Sequence, residues 1–177
     1  MSADNLDVIK WIQYALMDYN AAVNMTKLHR PVPIEIVCYH CQQSAEKILK
    51  AFVIANNETL IKTHDLTVLL SQCSQYSLEF NTHAKSCIVL TTYASLSRYP
   101  SNIEINEQQM KQAIKATRDI IVFIIPLFSK MGYVIDIQES QENAPLAWLD
   151  KAKAKAAEND SSLTIKPPAK NISEIDI

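Results

Sequence analysis

The chain has 177 residues, of which 48% are hydrophobic and one is glycine, and its formal net charge is -2. This length suits one domain with a continuous core, or one domain with an extension. Loops that cradle phosphates through backbone amides need several glycines within a few residues, and Gly132 stands alone, which excludes Rossmann and P-loop sites. The balanced charge excludes a general basic field for nucleic acid and leaves only a local patch.

The same composition bears on the compartment. Four cysteines in a chain of this length indicate reduced thiols in a cytosolic protein rather than a disulfide framework. The first residues lack the basic and apolar regions of a secretory signal. The longest apolar run, 120–127, is interrupted by Pro126 and is far shorter than the ~18 residues of a membrane span. We therefore expect a cytoplasmic protein with no membrane partner and no cofactor.

Apolar residues recur at spacings of three and four, which is typical of amphipathic helices. The first predicted helix begins at Asp4 or Asn5 and stops before Pro31, because the residue before a proline avoids helical geometry. The second has Pro33 in its first turn and ends at 56–57. Their apolar stripes comprise Leu6, Ile9, Ile12, Leu16, Tyr19 and Val23 in the first, and Ile34, Val37, Cys38, Cys41, Ala45, Ile48, Leu49, Phe52 and Ala55 in the second.

Three further helices are predicted. The third spans about 65–73 and the fourth about 81–97. Asn106 and Gln109 have the spacing of a capping box and open the fifth helix, which should kink or end near Ile125 because Pro126 follows. No period-two alternation persists, so the sequence predicts an all-α, up-and-down bundle of about five helices.

The composition shifts after residue 136. We expect residues 1–136 to form the helical bundle and residues 137–177 a C-terminal extension, with a short helix at about 143–157 and then a flexible tail. Residues 171–177 alternate isoleucine with polar residues. This pattern favours a disordered end, with docking on a partner protein as the alternative.

Four motifs occur in order along roughly residues 7–128. They are Trp11, Ala15, Asp18 and Ala22 in the first helix, Gln43, Ala45, Glu46, Lys47, Lys50 and Ala51 in the second, then Thr63-His64-Asp65-Leu66 and Arg98-Tyr99-Pro100. Together these motifs resemble the HEPN domain family. The resemblance implies a helical bundle that usually dimerises, a history of nucleotide or RNA association, and pairing with a minimal nucleotidyltransferase in toxin–antitoxin or phage-defence systems.

The sequence departs from the pattern of the family's nucleases. In those proteins an arginine is followed four to six residues later by a histidine, and the pair cleaves RNA without metal. The arginine fork suits a phosphate and the imidazole moves a proton near neutral pH. Here Asn102 stands where that histidine would be, and Glu104 replaces a tyrosine that is adenylylated in some pairs. We therefore expect no nuclease activity of the usual kind, with Arg98, Asn102 and His64 as candidates for a degenerate one.

The resemblance makes a second set of residues candidates for contacts with nucleotide or RNA, and each also has a structural interpretation. Glu46 and Lys50 have the i,i+4 spacing of a helix-stabilising ion pair. A cation such as Arg98 is favoured at the end of a helix, a tyrosine often packs in a core, and His64 precedes a helix start. The candidates are Lys47, Lys50, His64, Arg98 and Tyr99.

The cysteines permit one further hypothesis. Cys38 and Cys41 on one helix, and His83 and Cys87 on another, each place two soft ligands on one helical face, and four such ligands suit tetrahedral zinc. The alternative, which we favour, is that reduced cysteines pack as small apolar residues.

Three functions remain open from the sequence. The leading one is a non-catalytic HEPN homodimer that binds nucleotide, RNA or a partner nucleotidyltransferase. The others are a metal-independent ribonuclease with a degenerate motif, and a helical protein-interaction module that presents its C-terminal tail.

Overall fold

A computed structural model describes the backbone of residues 3–96 and 104–135 and the side chains of residues 7–94 and 104–135. Within these ranges every regular element is helical, which confirms the predicted fold class. The predicted helix at about 143–157, the tail, and the candidates Arg98, Tyr99 and Asn102 lie outside the described residues. The elements are α1 (Ala3–Leu28), α2 (Ile34–Ala55), α3 (Leu66–Ser74), a 3-10 helix (Leu78–His83), α4 (Ala84–Thr91), α5 (Tyr93–Leu96) and α6 (Glu107–Lys130).

Helix α2 is the centre of the bundle. It packs against α1 on one side and α6 on the other, and it also contacts α3, α4 and α5. Two buried hydroxyls fix these contacts: Ser44 Oγ donates to the Ala15 carbonyl at 2.7 Å, and Thr117 Oγ1 donates to the Cys41 carbonyl at 3.1 Å. Both polar groups are fully buried and hydrogen-bonded, so they define the register of the three helices without an unpaired polar atom.

An aromatic cluster lies near the C-terminal end of α2. Phe52 is 2% exposed, and its ring centroid lies 4.8 Å from that of Phe80 and 6.0 Å from that of Phe128. The edge of Tyr76 meets Phe52 at 6.0 Å. Because these rings come from α2, α6 and the segment after α3, they join the three parts of the fold through one apolar contact.

The helix ends agree with the sequence in most places. Asp65 caps α3 by accepting the Thr67 N–H at 2.8 Å, and Asn57, with φ of 57°, lies just beyond α2. The capping box of α6 is confirmed, since Asn106 and Gln109 exchange side-chain to backbone hydrogen bonds of 2.9 Å in both directions. These polar residues satisfy amide groups that a helix start leaves unpaired.

The fourth predicted helix is instead divided. The segment 81–97 contains part of a 3-10 helix, then α4, then the four-residue α5. The break falls at two threonines: Thr91 Oγ1 donates to the Cys87 carbonyl at 2.8 Å and Thr92 Oγ1 to the Val89 carbonyl at 2.7 Å. Such hydroxyls compete with the backbone ladder, which explains why the helix is interrupted there.

The sequence predicted that the fifth helix would kink or end near Ile125, and an end at that point is wrong. Helix α6 continues through Pro126 to Lys130. Residues Ile124 to Phe128 are all buried, and their packing in the core offsets the backbone hydrogen bond that proline removes. The helix is followed by Gly132, whose φ of 86° is a conformation that glycine adopts without strain.

Candidate functional site

A carboxylate of α1 holds two side chains of α2. Asp18 accepts from His40 Nδ1 at 2.9 Å through one oxygen, and from the Lys47 ammonium through the other. Burial alone raises the pKa of Asp18, but the hydrogen bonds from His40 and Lys47 outweigh it, and the pKa lies below its ordinary value. At neutral pH Asp18 is therefore ionised and bridges the two helices.

A second carboxylate, that of Glu46, belongs to α2 itself. Glu46 accepts from Lys50 Nζ at 2.6 Å, from Gln42 Nε2 at 2.8 Å and from His64 Nδ1 at 3.1 Å. Burial again raises the pKa of this carboxyl. The hydrogen bonds from Lys50 and Gln42, together with nearby positive charge, lower the pKa by more, so it lies below its ordinary value. Glu46 is thus a buried, ionised group with three donors from two segments of the chain.

Gln43 connects the two carboxylates. Its Nε2 donates to Gln42 Oε1 at 2.7 Å, and its Oε1 accepts from Lys47 Nζ at 3.5 Å. Eight side chains consequently form one continuous set of hydrogen bonds, which we call the α1–α2 polar network. Its members are Asp18, His40, Gln42, Gln43, Glu46, Lys47, Lys50 and His64.

Within the network, carboxylates pair with both of the lysines that we considered as contacts for nucleotide or RNA. The side chains of Lys50 and Glu46 are 10% and 6% exposed, and those of Lys47 and Asp18 are 24% and 16% exposed. Lys50 Nζ also lies 5.8 Å from the centre of the Trp11 ring. Two carboxylates therefore balance two ammonium groups, and each ammonium is hydrogen-bonded to its carboxylate.

His64 differs from the rest of the network because its side chain is 64% exposed. It lies in the segment that leads into α3, immediately before the cap residue Asp65. Its Nδ1 contacts Glu46, while most of the side chain remains exposed. The structure thus brings His64 together with Lys50 and Lys47 in one network, as the sequence hypothesis grouped them.

The four residues of the zinc hypothesis do not assemble. No group of three or more histidine, cysteine, aspartate or glutamate side chains within the described part of the chain could hold a metal ion. Burial raises the pKa of the Cys38, Cys41 and Cys87 thiols to about 12, as expected for cysteines that pack as small apolar residues. His83 instead packs on the ring of Phe123, with centroids 5.0 Å apart.

Sequence reasoning missed part of the network. Asp18 was noted as a match in the first helix without a partner, and His40 and Gln42 received no role. Residues 40, 43, 47 and 50 recur at helical spacing, which could have indicated one polar face on α2. Nothing in the sequence gives the register that places Asp18 against that face.

None of the described helices has the length and apolar character needed to cross a membrane. No curated protein and no solved structure matches the chain. The model of the HEPN domain matches residues 8–126, about two thirds of the sequence, and these residues include all of the α1–α2 polar network. The helical architecture and this match together place the chain in the HEPN domain family.

Proposed function

We propose that this chain is a non-catalytic HEPN domain that acts as a homodimer by binding a protein partner, and that the partner is a nucleotidyltransferase. Support comes from two independent features, one in the sequence and one in the geometry. The sequence lacks the histidine that transfers a proton in the family's nucleases. In the structure, Lys47 and Lys50, which could otherwise contact a phosphate, are paired with carboxylates.

The first feature is the segment after Arg98. An arginine alone can hold a phosphate through its fork of N–H donors, but hydrolysis of RNA also needs a group that moves a proton near neutral pH. Asn102, at the position of the histidine, carries an amide that does not titrate. This segment supports binding rather than cleavage.

The second feature carries the proposal. Lys47 and Lys50 are each hydrogen-bonded to an ionised, largely buried carboxylate. A phosphate at this face would lie beside an ionised carboxylate that repels it, or would separate one of these pairs. Breaking a buried pair leaves a buried charge uncompensated at a cost of ~3–5 kcal/mol. Together with a net charge of -2, this favours a protein partner over a polyanion.

Two measurements test the proposal. Light scattering on the purified chain should give twice the chain mass of 20.0 kDa. Affinity capture of the tagged chain from its own cells, followed by mass spectrometry, should recover a nucleotidyltransferase in stoichiometric amount, with an unrelated helical protein carrying the same tag as control. A monomer that captures no such transferase contradicts the proposal.

A binding assay separates the nucleotide or RNA alternative. We expect labelled RNA oligomers and nucleotides to bind weakly, and Lys47→Gln or Lys50→Gln to change that binding no more than Lys111→Gln. Lys111 is the matched control because its side chain is 70% exposed on α6, away from the network. Tight binding that is lost selectively in the two network variants overturns the protein-binding assignment.

A further inference from the structure

Among the described histidines, His64 is the one that both contacts a carboxylate and is mostly exposed. Its Nδ1 lies 3.1 and 3.2 Å from the two oxygens of Glu46, and its side chain is 64% exposed. We propose that His64 is a phosphoryl acceptor, whose Nε2 takes a phosphoryl group from a donor with a phosphorus–nitrogen bond. The proposal does not depend on the partner assigned above.

Glu46 sets the tautomer of the His64 ring. Because this carboxylate is ionised, it can only accept hydrogen bonds, so Nδ1 must carry the proton that it donates. In the neutral ring the lone pair is then on Nε2, which has no hydrogen-bond partner among the described residues and belongs to a side chain that is largely exposed.

The other described histidines lack either the orienting carboxylate or the exposure that His64 has. His40 also donates to a carboxylate, Asp18, but its side chain is only 24% exposed. His29 is exposed and has no described side-chain partner. His83 is partly buried against Phe123. His64 is therefore the described imidazole that is both oriented by a carboxylate and open to a reagent.

Charge near His64 permits an incoming anion. The negative charge of Glu46 is balanced by Lys50, whose Nζ lies 2.6 Å from the same oxygen that His64 contacts. A phosphoryl donor therefore does not meet net negative charge at this point. The exposure of the His64 side chain leaves room for the in-line approach that a nitrogen nucleophile needs.

The transfer balances without a further reactant. The Nε2 lone pair forms the new nitrogen–phosphorus bond, and the donor's phosphorus–nitrogen bond breaks. Its electron pair leaves with the donor nitrogen, which is protonated in the reactant and departs as a neutral amine or imidazole. His64 becomes a phosphoimidazolium that keeps its Nδ1 proton, and the Glu46 carboxylate compensates the positive charge.

Phosphoramidate is the probe that tests this assignment on the full chain. Phosphorylation at each histidine is followed by mass spectrometry of peptides kept at alkaline pH, and ³¹P NMR identifies the nitrogen that is modified. We expect His64 to react at Nε2 about tenfold faster than His29, because only His64 has the orienting carboxylate. Modification of His64 no faster than that of His29, or at its Nδ1, overturns the proposal.

Two variants examine the cause. Glu46→Gln should reduce the rate at His64 to within about twofold of that at His29, because the carboxylate is lost. Glu107→Gln, which alters an exposed carboxylate of α6 that pairs with Lys111 outside the network, should leave the rate at His64 unchanged. If Glu46→Gln does not fold, the comparison of His64 with His29 in the parent chain still decides. A rate at His64 that is insensitive to Glu46→Gln in a folded variant contradicts the assigned role of the carboxylate.

Discussion

Lys50 Nζ lies 2.6 Å from Glu46 Oε1, one turn along α2, with both side chains almost completely removed from solvent. The i,i+4 spacing was visible in the sequence and suggested a helix-stabilising pair, and the contact confirms that interpretation. Burial gives the pair a larger role than a surface pair would have. Lys50 approaches Trp11 of α1 and Glu46 contacts His64 before α3, so the pair connects three segments of the chain.

Separating this pair should strongly destabilise the fold. Lys50→Met leaves Glu46 with Gln42 and His64 as its donors, and we expect a loss of about 3 kcal/mol in the free energy of unfolding, measured by urea titration. The matched control is Lys111→Met, because the Lys111–Glu107 pair has the same spacing at 3.3 Å but 70% exposure on both sides. That variant should lose less than about 0.5 kcal/mol. Equal losses in the two variants contradict the burial argument.

Stability should fall in acid because of both network carboxylates. The pKa values of Asp18 and Glu46 are lower in the folded chain than in the unfolded chain. Their contribution is therefore fully present above the unfolded pKa values and disappears as the pH falls through the folded ones. The urea midpoint should decline between about pH 5 and pH 3. Glu46→Gln should flatten this decline; an identical pH profile in the variant and the parent argues against it.

The aromatic cluster around Phe52 should be the most sensitive part of the core. Phe52→Ala removes a ring that contacts Phe80, Phe128 and Tyr76, and we expect a loss of about 3–5 kcal/mol in the free energy of unfolding. Leu78→Ala is the control, since Leu78 is 79% exposed and should lose at most about 0.5 kcal/mol. Thermal and urea unfolding of the two variants checks this. A loss below that of the control places the Phe52 ring outside the core.

The capping box should stabilise the start of α6. Asn106→Ala removes the acceptor for the Gln109 N–H, and we expect a loss of about 1 kcal/mol, with faster amide exchange at residues 107–110. Gln108→Ala is the control, because Gln108 is exposed and takes no part in the box. If Gln108→Ala and Asn106→Ala are equally destabilising, the box contributes little.

The sequence anticipated the local elements better than the contacts between them. Features that depend on residues close together in the sequence were predictable. They are the end of α1 before Pro31, the Asn106–Gln109 capping box and the spacing of the apolar side chains. The passage of α6 through Pro126 was not, because it depends on core packing. The same holds for the site: Lys50 and Glu46 are neighbours on one helix, whereas the pairing of Asp18 with Lys47 depends on how α1 lies along α2.

RNA cleavage tests the central claim most directly. The purified chain and its Arg98→Ala variant are incubated with structured and unstructured RNA in the presence of a chelator, and the products are separated by size. We predict that the RNA remains intact with both proteins at equal, background levels, because the position four residues after Arg98 carries an amide and not an imidazole. Cleavage by the parent chain that disappears in Arg98→Ala would contradict the assignment of a non-catalytic HEPN domain.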